Sequence, residues 1–155
     1  MCCVFPEGKT TCIRGRSGCG KTTLIRLLLG LDIPDKGKIE GISDRKISAV
    51  FQEDRLCENL SAASNIRLVC TETISDRELE EAYKAVALTE VWQKPVRELS
   101  GGMRRRVSIL RALLADSDCV IMDEPLRGLD EKTRTKTIDY ILKKTEGKTL
   151  IFVTH

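Results

Sequence analysis

Histidine is nearly absent from this chain of 155 residues: the single one is His155. The seven cysteines (Cys2, Cys3, Cys12, Cys19, Cys57, Cys70 and Cys119) are scattered and form no C-x-x-C pair. Together these gaps argue against a zinc site and against a disulfide framework, and reduced thiols are expected. A charge excess is also lacking. With 26 basic and 23 acidic residues the net charge is +3, too balanced to argue for nucleic acid or an acidic membrane surface. No apolar run approaches the roughly 20 residues that span a bilayer. Residues 1–7 lack the basic start and apolar stretch of a signal peptide. The chain is therefore expected in the cytosol, with no direct membrane insertion. Hydrophobic residues make up 41% and charged residues 32%, which fits a globular protein rather than a disordered one. The densest basic cluster, Arg104-Arg105-Arg106, reads as a solvated helix face.

Strand and helix patterns alternate, which predicts a parallel α/β sheet. Lys9 to Arg14 reads as a strand feeding a glycine-rich loop. Lys21 to Leu29 reads as a helix closed by Gly30. Residues 35–41 are turn-rich, and Ile47 to Phe51 is a short β-branched strand. Ser75-Asp76-Arg77-Glu78 is a capping box that opens a helix to about Leu88, with Leu79, Ala82, Val86 and Tyr83 near helical spacing. Gly101 to Leu114 and Glu131 to Lys144 read as further helices, the second ended by Gly147. Asp118 to Met122 and Lys148 to Thr154 read as buried strands.

Residues 15–22, Gly-Arg-Ser-Gly-Cys-Gly-Lys-Thr, match G-x-x-x-x-G-K-T between a strand and a helix. Glycines there let backbone N–H groups wrap phosphates without side chains in the way. The helix start adds a positive dipole end. Lys21 supplies charge for the β- and γ-phosphates, Thr22 a hydroxyl for Mg²⁺, and Thr23 reaches a phosphate oxygen. Gly15, Ser17, Gly18, Cys19 and Gly20 complete the cradle, and modification of Cys19 is expected to block nucleotide. Asp123 and Glu124 end a buried strand, where a carboxylate needs a partner. Asp123 is expected to hold Mg²⁺, and Glu124 to polarise the attacking water as general base. Leu99-Ser100-Gly101-Gly102 precedes a helix. Ser100 can cap it while Gly101 and Gly102 bare its amides, forming a second anion-binding end.

The order of these motifs resembles the ATP-binding cassette ATPases, the engines of ABC transporters. The resemblance covers nearly the whole chain. It implies an α/β P-loop NTPase fold with a mainly parallel sheet flanked by helices and a helical signature subdomain. The N-terminal antiparallel strands of the family are expected to be largely missing. The expected organisation is one incomplete cassette domain over residues 1–155, with a core of 9–52 and 116–155 and a helical subdomain at about 53–115. The resemblance further implies that Gln52, in the run Val50 to Leu56, touches the metal or the water. It makes Gly128-Leu129-Asp130 a turn at a dimer interface and His155 a switch residue that reads the γ-phosphate. Ser100, Gly101 and Gly102 would close over ATP held by another subunit. Two positions depart from the family: Met103 stands where glutamine is usual, and Arg127 where serine is usual. The aromatic that stacks on adenine in the family has no match here, since Phe5 is misplaced, and weaker ATP binding is expected.

The resemblance thus implies an ATP-hydrolysing subunit with ATP and Mg²⁺ as cofactors. It would act as a homodimer or paired subunit with transmembrane permease subunits, peripheral on the inner face of the membrane. The style of residues 53–67 is similar to the short importer ATPases of the nitrate, sulfonate and taurine group. Two alternatives stand beside this: a truncated cassette fragment with weak or no ATPase activity, and a non-transport ABC ATPase.

Overall fold

The structure is a computed structural model that describes residues 2–42, 44–89 and 91–155. Four parallel strands form one sheet, in the order β1-β4-β3-β2. They are β1 (Thr10–Arg14), β2 (Ile47–Val50), β3 (Cys119–Asp123) and β4 (Thr149–Thr154). β3 is buried along its whole length, as a central strand covered on both faces must be. Its side chains alternate between two apolar clusters, following the two-residue period of a strand. Cys119 and Ile121 pack with Ile25 and Leu28 of α1 (Lys21–Leu28). Val120 and Met122 face the larger cluster.

That larger cluster is built from α2 (Ala62–Arg67), α3 (Asp76–Ala85), α4 (Gly101–Leu114) and α5 (Glu131–Lys144). Val107, Leu110 and Leu113 of α4 are buried in it, as their spacing predicts. α2 is absent from the sequence-based expectation. It has only six residues and its buried positions include Asn65. The Asn65 amide is satisfied locally: it accepts from Cys57 N–H at 2.8 Å and donates to the carbonyls of Cys57 and Ser61, both at 3.0 Å. Such a buried polar residue hides the apolar period from a sequence reading.

The helix ends follow local chemistry. α1 closes in a Schellman motif: Gly30 N–H donates to Leu27 O at 3.1 Å and Leu31 N–H to Arg26 O at 2.9 Å. The Ser75–Glu78 capping box forms as expected. α3 stops at Ala85, three residues before the expected Leu88. Ala87 adopts φ +55 there, donating to Lys84 O at 3.1 Å while Leu88 N–H donates to Tyr83 O at 2.8 Å. This is the same closing motif, with alanine in the position that favours glycine. Tyr83 is buried and its hydroxyl has no partner among the described residues, so burial pushes its ionisation well above the ordinary tyrosine range. The parallel strands place every βα turn on one edge of the sheet, beyond the carboxyl ends of the strands, where ligands of open α/β sheets bind.

Candidate nucleotide site

The turn after β1 carries the glycine-rich loop, and α1 starts directly behind it. Gly20 is the N-cap of α1 at φ +94, a conformation that L side chains resist. Gly15 is constrained differently: a Cβ there would come within 2.9 Å of Cys19 Sγ. Lys21 is buried, and its ammonium folds back on the loop, donating to Gly15 O at 2.6 Å and Arg16 O at 2.9 Å. The N–H groups of Gly20, Lys21 and Thr22 find no acceptor among the described residues. Unpaired amides at a helix start form an anion cradle.

β3 brings the carboxylates to the same edge. Asp123 is 3% exposed, and its carboxylate has one hydrogen-bond donor among the described residues, the Thr22 hydroxyl at 3.0 Å. A buried carboxylate paired only with a hydroxyl suits a hard cation, which takes oxygen ligands. Gln52, just past β2, lines a cavity on this edge together with Thr22. Thr22, Gln52 and Asp123 therefore fit Mg²⁺ by donor type. Glu124 follows at φ +48, a left-handed backbone that costs about 1 kcal/mol or more for a non-glycine residue. Its N–H donates to Val153 O at 3.0 Å, which ties it to the end of β4. The Glu124 side chain is 10% exposed; one carboxylate oxygen pairs with His155 Nε2 and the other lies 3.8 Å from Arg127 Nη1.

A cavity of about 530 Å³ opens on this edge. Ser17, Gly18, Gly20, Lys21, Thr22 and Thr23 line one side; Gln52, Glu124 and His155 line the other. Side chains up to 138 positions apart in sequence, from Ser17 to His155, thus meet in one space. The signature residues lie elsewhere. Ser100 Oγ accepts from Met103 N–H at 3.3 Å as the cap of α4. The Gly101 and Gly102 amides have no acceptor among the described residues. Gly102 abuts the Gly128–Asp130 turn, whose Asp130 caps α5 through Thr133 N–H at 3.0 Å. Hydrogen bonding from the Thr133 side chain, and then from its backbone N–H, holds the Asp130 carboxyl below its usual range. None of Ser100, Gly101 and Gly102 lines the cavity.

The arginine cluster corrects the expectation of a solvated face. Arg104 donates to Leu99 O at 3.2 Å and Arg97 O at 3.0 Å. Arg106 donates to Val86 O at 3.1 Å and Ala87 O at 2.7 Å, and burial lowers its ionisation below the ordinary range. Arg105 is 4% exposed and points beneath the site. Carbonyls at turns and helix ends supply the acceptors, and those of residues 51–52, 86–87 and 123–125 become neighbours of the cluster only on folding. A run of arginines carries no local mark of this, although three consecutive positions cannot all share one helix face.

The fold and the cradle define a P-loop nucleotide-binding domain. The model of the ABC transporter family matches residues 3–127. The taurine import ATP-binding protein TauB of Roseobacter denitrificans is 36% identical over 162 residues, covering 96% of this chain and 60% of that protein. TauB of a Jannaschia species is 36% identical over 163 residues, with the same coverage of 96% and 60%. A dimeric ATP-binding cassette in a post-hydrolysis state, bound to ADP and Pi, superposes with a TM-score of 0.84 at 31% identity, over 99% of this chain and 77% of that one. The chain belongs to the ABC transporter family, as an ATP-binding cassette. It spans about 60% of the length of the curated relatives it matches.

Proposed function

We propose that this chain binds ATP with Mg²⁺ and hydrolyses it as the ATPase of an importer-type ABC transporter. The observation that carries the reading is the single cavity shared by Lys21, Thr22, Gln52, Glu124 and His155. The unpaired loop amides and Lys21 bind the phosphates, with Lys21 leaving its carbonyl partners to do so. Thr22, Asp123 and Gln52 would hold Mg²⁺, which when bound would neutralise phosphate charge. Glu124 orients a water and takes its proton as the oxygen bonds to the γ-phosphorus. The bond from the γ-phosphorus to the bridging oxygen breaks, and ADP carries that electron pair away. His155 holds the Glu124 carboxylate in the site until the γ-phosphate engages it.

Ser100, Gly101 and Gly102 present a second anion-binding end outside this cavity. That separation supports a head-to-tail dimer in which the signature of one copy closes over the nucleotide of the other. The taurine-import relatives favour an importer, with permease subunits as partners and the cytoplasmic membrane face as the location. Replacing Glu124 by Gln keeps size and hydrogen bonding but removes the base. The Glu124→Gln chain is expected to bind ATP while hydrolysis falls about 10²- to 10⁴-fold. Equal hydrolysis rates in the two proteins would refute Glu124 as the base. A wild-type chain with no ATP binding would refute the ATPase reading itself.

A further inference from the structure

The candidate base sits in a backbone conformation that glutamate disfavours, and the turn bearing Gln52 has no strand pairing of its own. One buried side chain spans both. Arg105 Nη2 donates to Asp123 O at 2.9 Å and Glu124 O at 2.7 Å, and Nε donates to Pro125 O at 3.1 Å. Its Nη1 donates to Phe51 O, to Gln52 O at 3.3 Å and to Asp54 Oδ1 at 3.1 Å. One planar guanidinium thus collects five carbonyls and a carboxylate from two segments that are far apart in sequence. Arg105 has no bond to the glycine loop or to α1.

We infer that Arg105 is a positioning residue that locks the Gln52 turn and the Glu124 turn into one unit, so that the metal- and water-contacting amide and the base move together. It acts through backbone carbonyls and does not touch nucleotide. The inference rests on the ATPase reading above. The fork geometry of arginine is required: a lysine ammonium has three donors and cannot serve both turns fully. Loss of the lock lets Glu124 leave its strained backbone and shift relative to the attacking water. A misplacement of about 1 Å lowers a rate by about 100-fold.

The test compares wild type, Arg105→Lys and Arg105→Met, with Leu79→Ala in the α3 core as a destabilised control remote from both turns. ATP hydrolysis and backbone hydrogen exchange are measured on each at a temperature where all are folded. For Arg105→Lys, kcat should fall by about 10- to 100-fold with KM for ATP changed by less than about twofold. Arg105→Met should fall further, so that lysine rescues part of the rate. Exchange should rise together at 51–55 and 123–128 while α1 keeps its protection. Leu79→Ala should show neither effect. The inference is overturned if kcat is unchanged in Arg105→Lys, if KM rises in step with the loss of kcat, if only one turn loosens, or if Leu79→Ala matches the arginine variants. A wild-type chain without ATPase activity would remove the functional reading alone. The exchange of the two turns would then still decide whether Arg105 couples them.

Discussion

Replacing Lys21 by Met removes the ammonium and keeps most of the aliphatic stem. In the free protein the ammonium is already bonded to two carbonyls, those of Gly15 and Arg16. Binding ATP therefore exchanges partners rather than satisfying an idle charge. An ammonium about 3 Å from a phosphate oxygen gains roughly 5–6 kcal/mol at an effective dielectric constant near 20. The carbonyl bonds given up are charge-assisted and contribute about 1.5 kcal/mol each. The net loss in Lys21→Met is then about 2–3 kcal/mol, or about 30- to 150-fold in the Kd for ATP with Mg²⁺. Isothermal titration calorimetry on both proteins measures it, with circular dichroism to show that the variant is folded. A change below about threefold would refute the placement of phosphate beside Lys21. A change above about 10⁴-fold would refute the exchange argument, because the carbonyl bonds would then have offset nothing.

Two stability predictions accompany this one. Ala87→Gly relieves a left-handed alanine at the end of α3 while keeping the bonds from Leu88 N–H and Arg106 to the local carbonyls; thermal melting should show a gain of about 0.5–1 kcal/mol, and a loss would refute the strain argument. Glu78 accepts from the Ser75 hydroxyl and backbone N–H, which lowers its carboxyl below the ordinary 4.5. A depressed folded value means that this stabilisation is complete above about pH 4.5 and is lost as pH falls through the lowered value. Ser75→Ala should therefore lower the melting temperature more at pH 7 than at pH 3, and an equal loss at both would refute the linkage.

Much of the fold was legible from local chemistry. The span of α4, from Ser100 as cap to Leu114, and that of α5, from Asp130 to Lys144, follow from a capping side chain and an apolar period. The stop of α3 at Ala85 was not legible, because it depends on an alanine held left-handed by carbonyl bonds to Arg106, which lies 19 residues on. α2 was hidden by a buried, internally satisfied Asn65. Within the site, residues 15–22 and the Asp123-Glu124 pair carry their own marks: glycines where amides must be bare, and carboxylates ending an apolar strand.

By itself the sequence determined the cradle, the acidic strand end, the capped signature helix and the family they define, since each depends on neighbours within a few residues. Only the tertiary structure decided which of these share a cavity. The order β1-β4-β3-β2 brings Thr22 to Asp123 across 101 positions and His155 to Glu124, while leaving Ser100 outside. The same folding turned Arg105 from an apparent surface charge into a buried tie between two turns. The physical reason is that a guanidinium is buried only where enough acceptors surround it. Carbonyls from residues 51–52 and 123–125 converge at Arg105 only when β2 and β3 lie side by side.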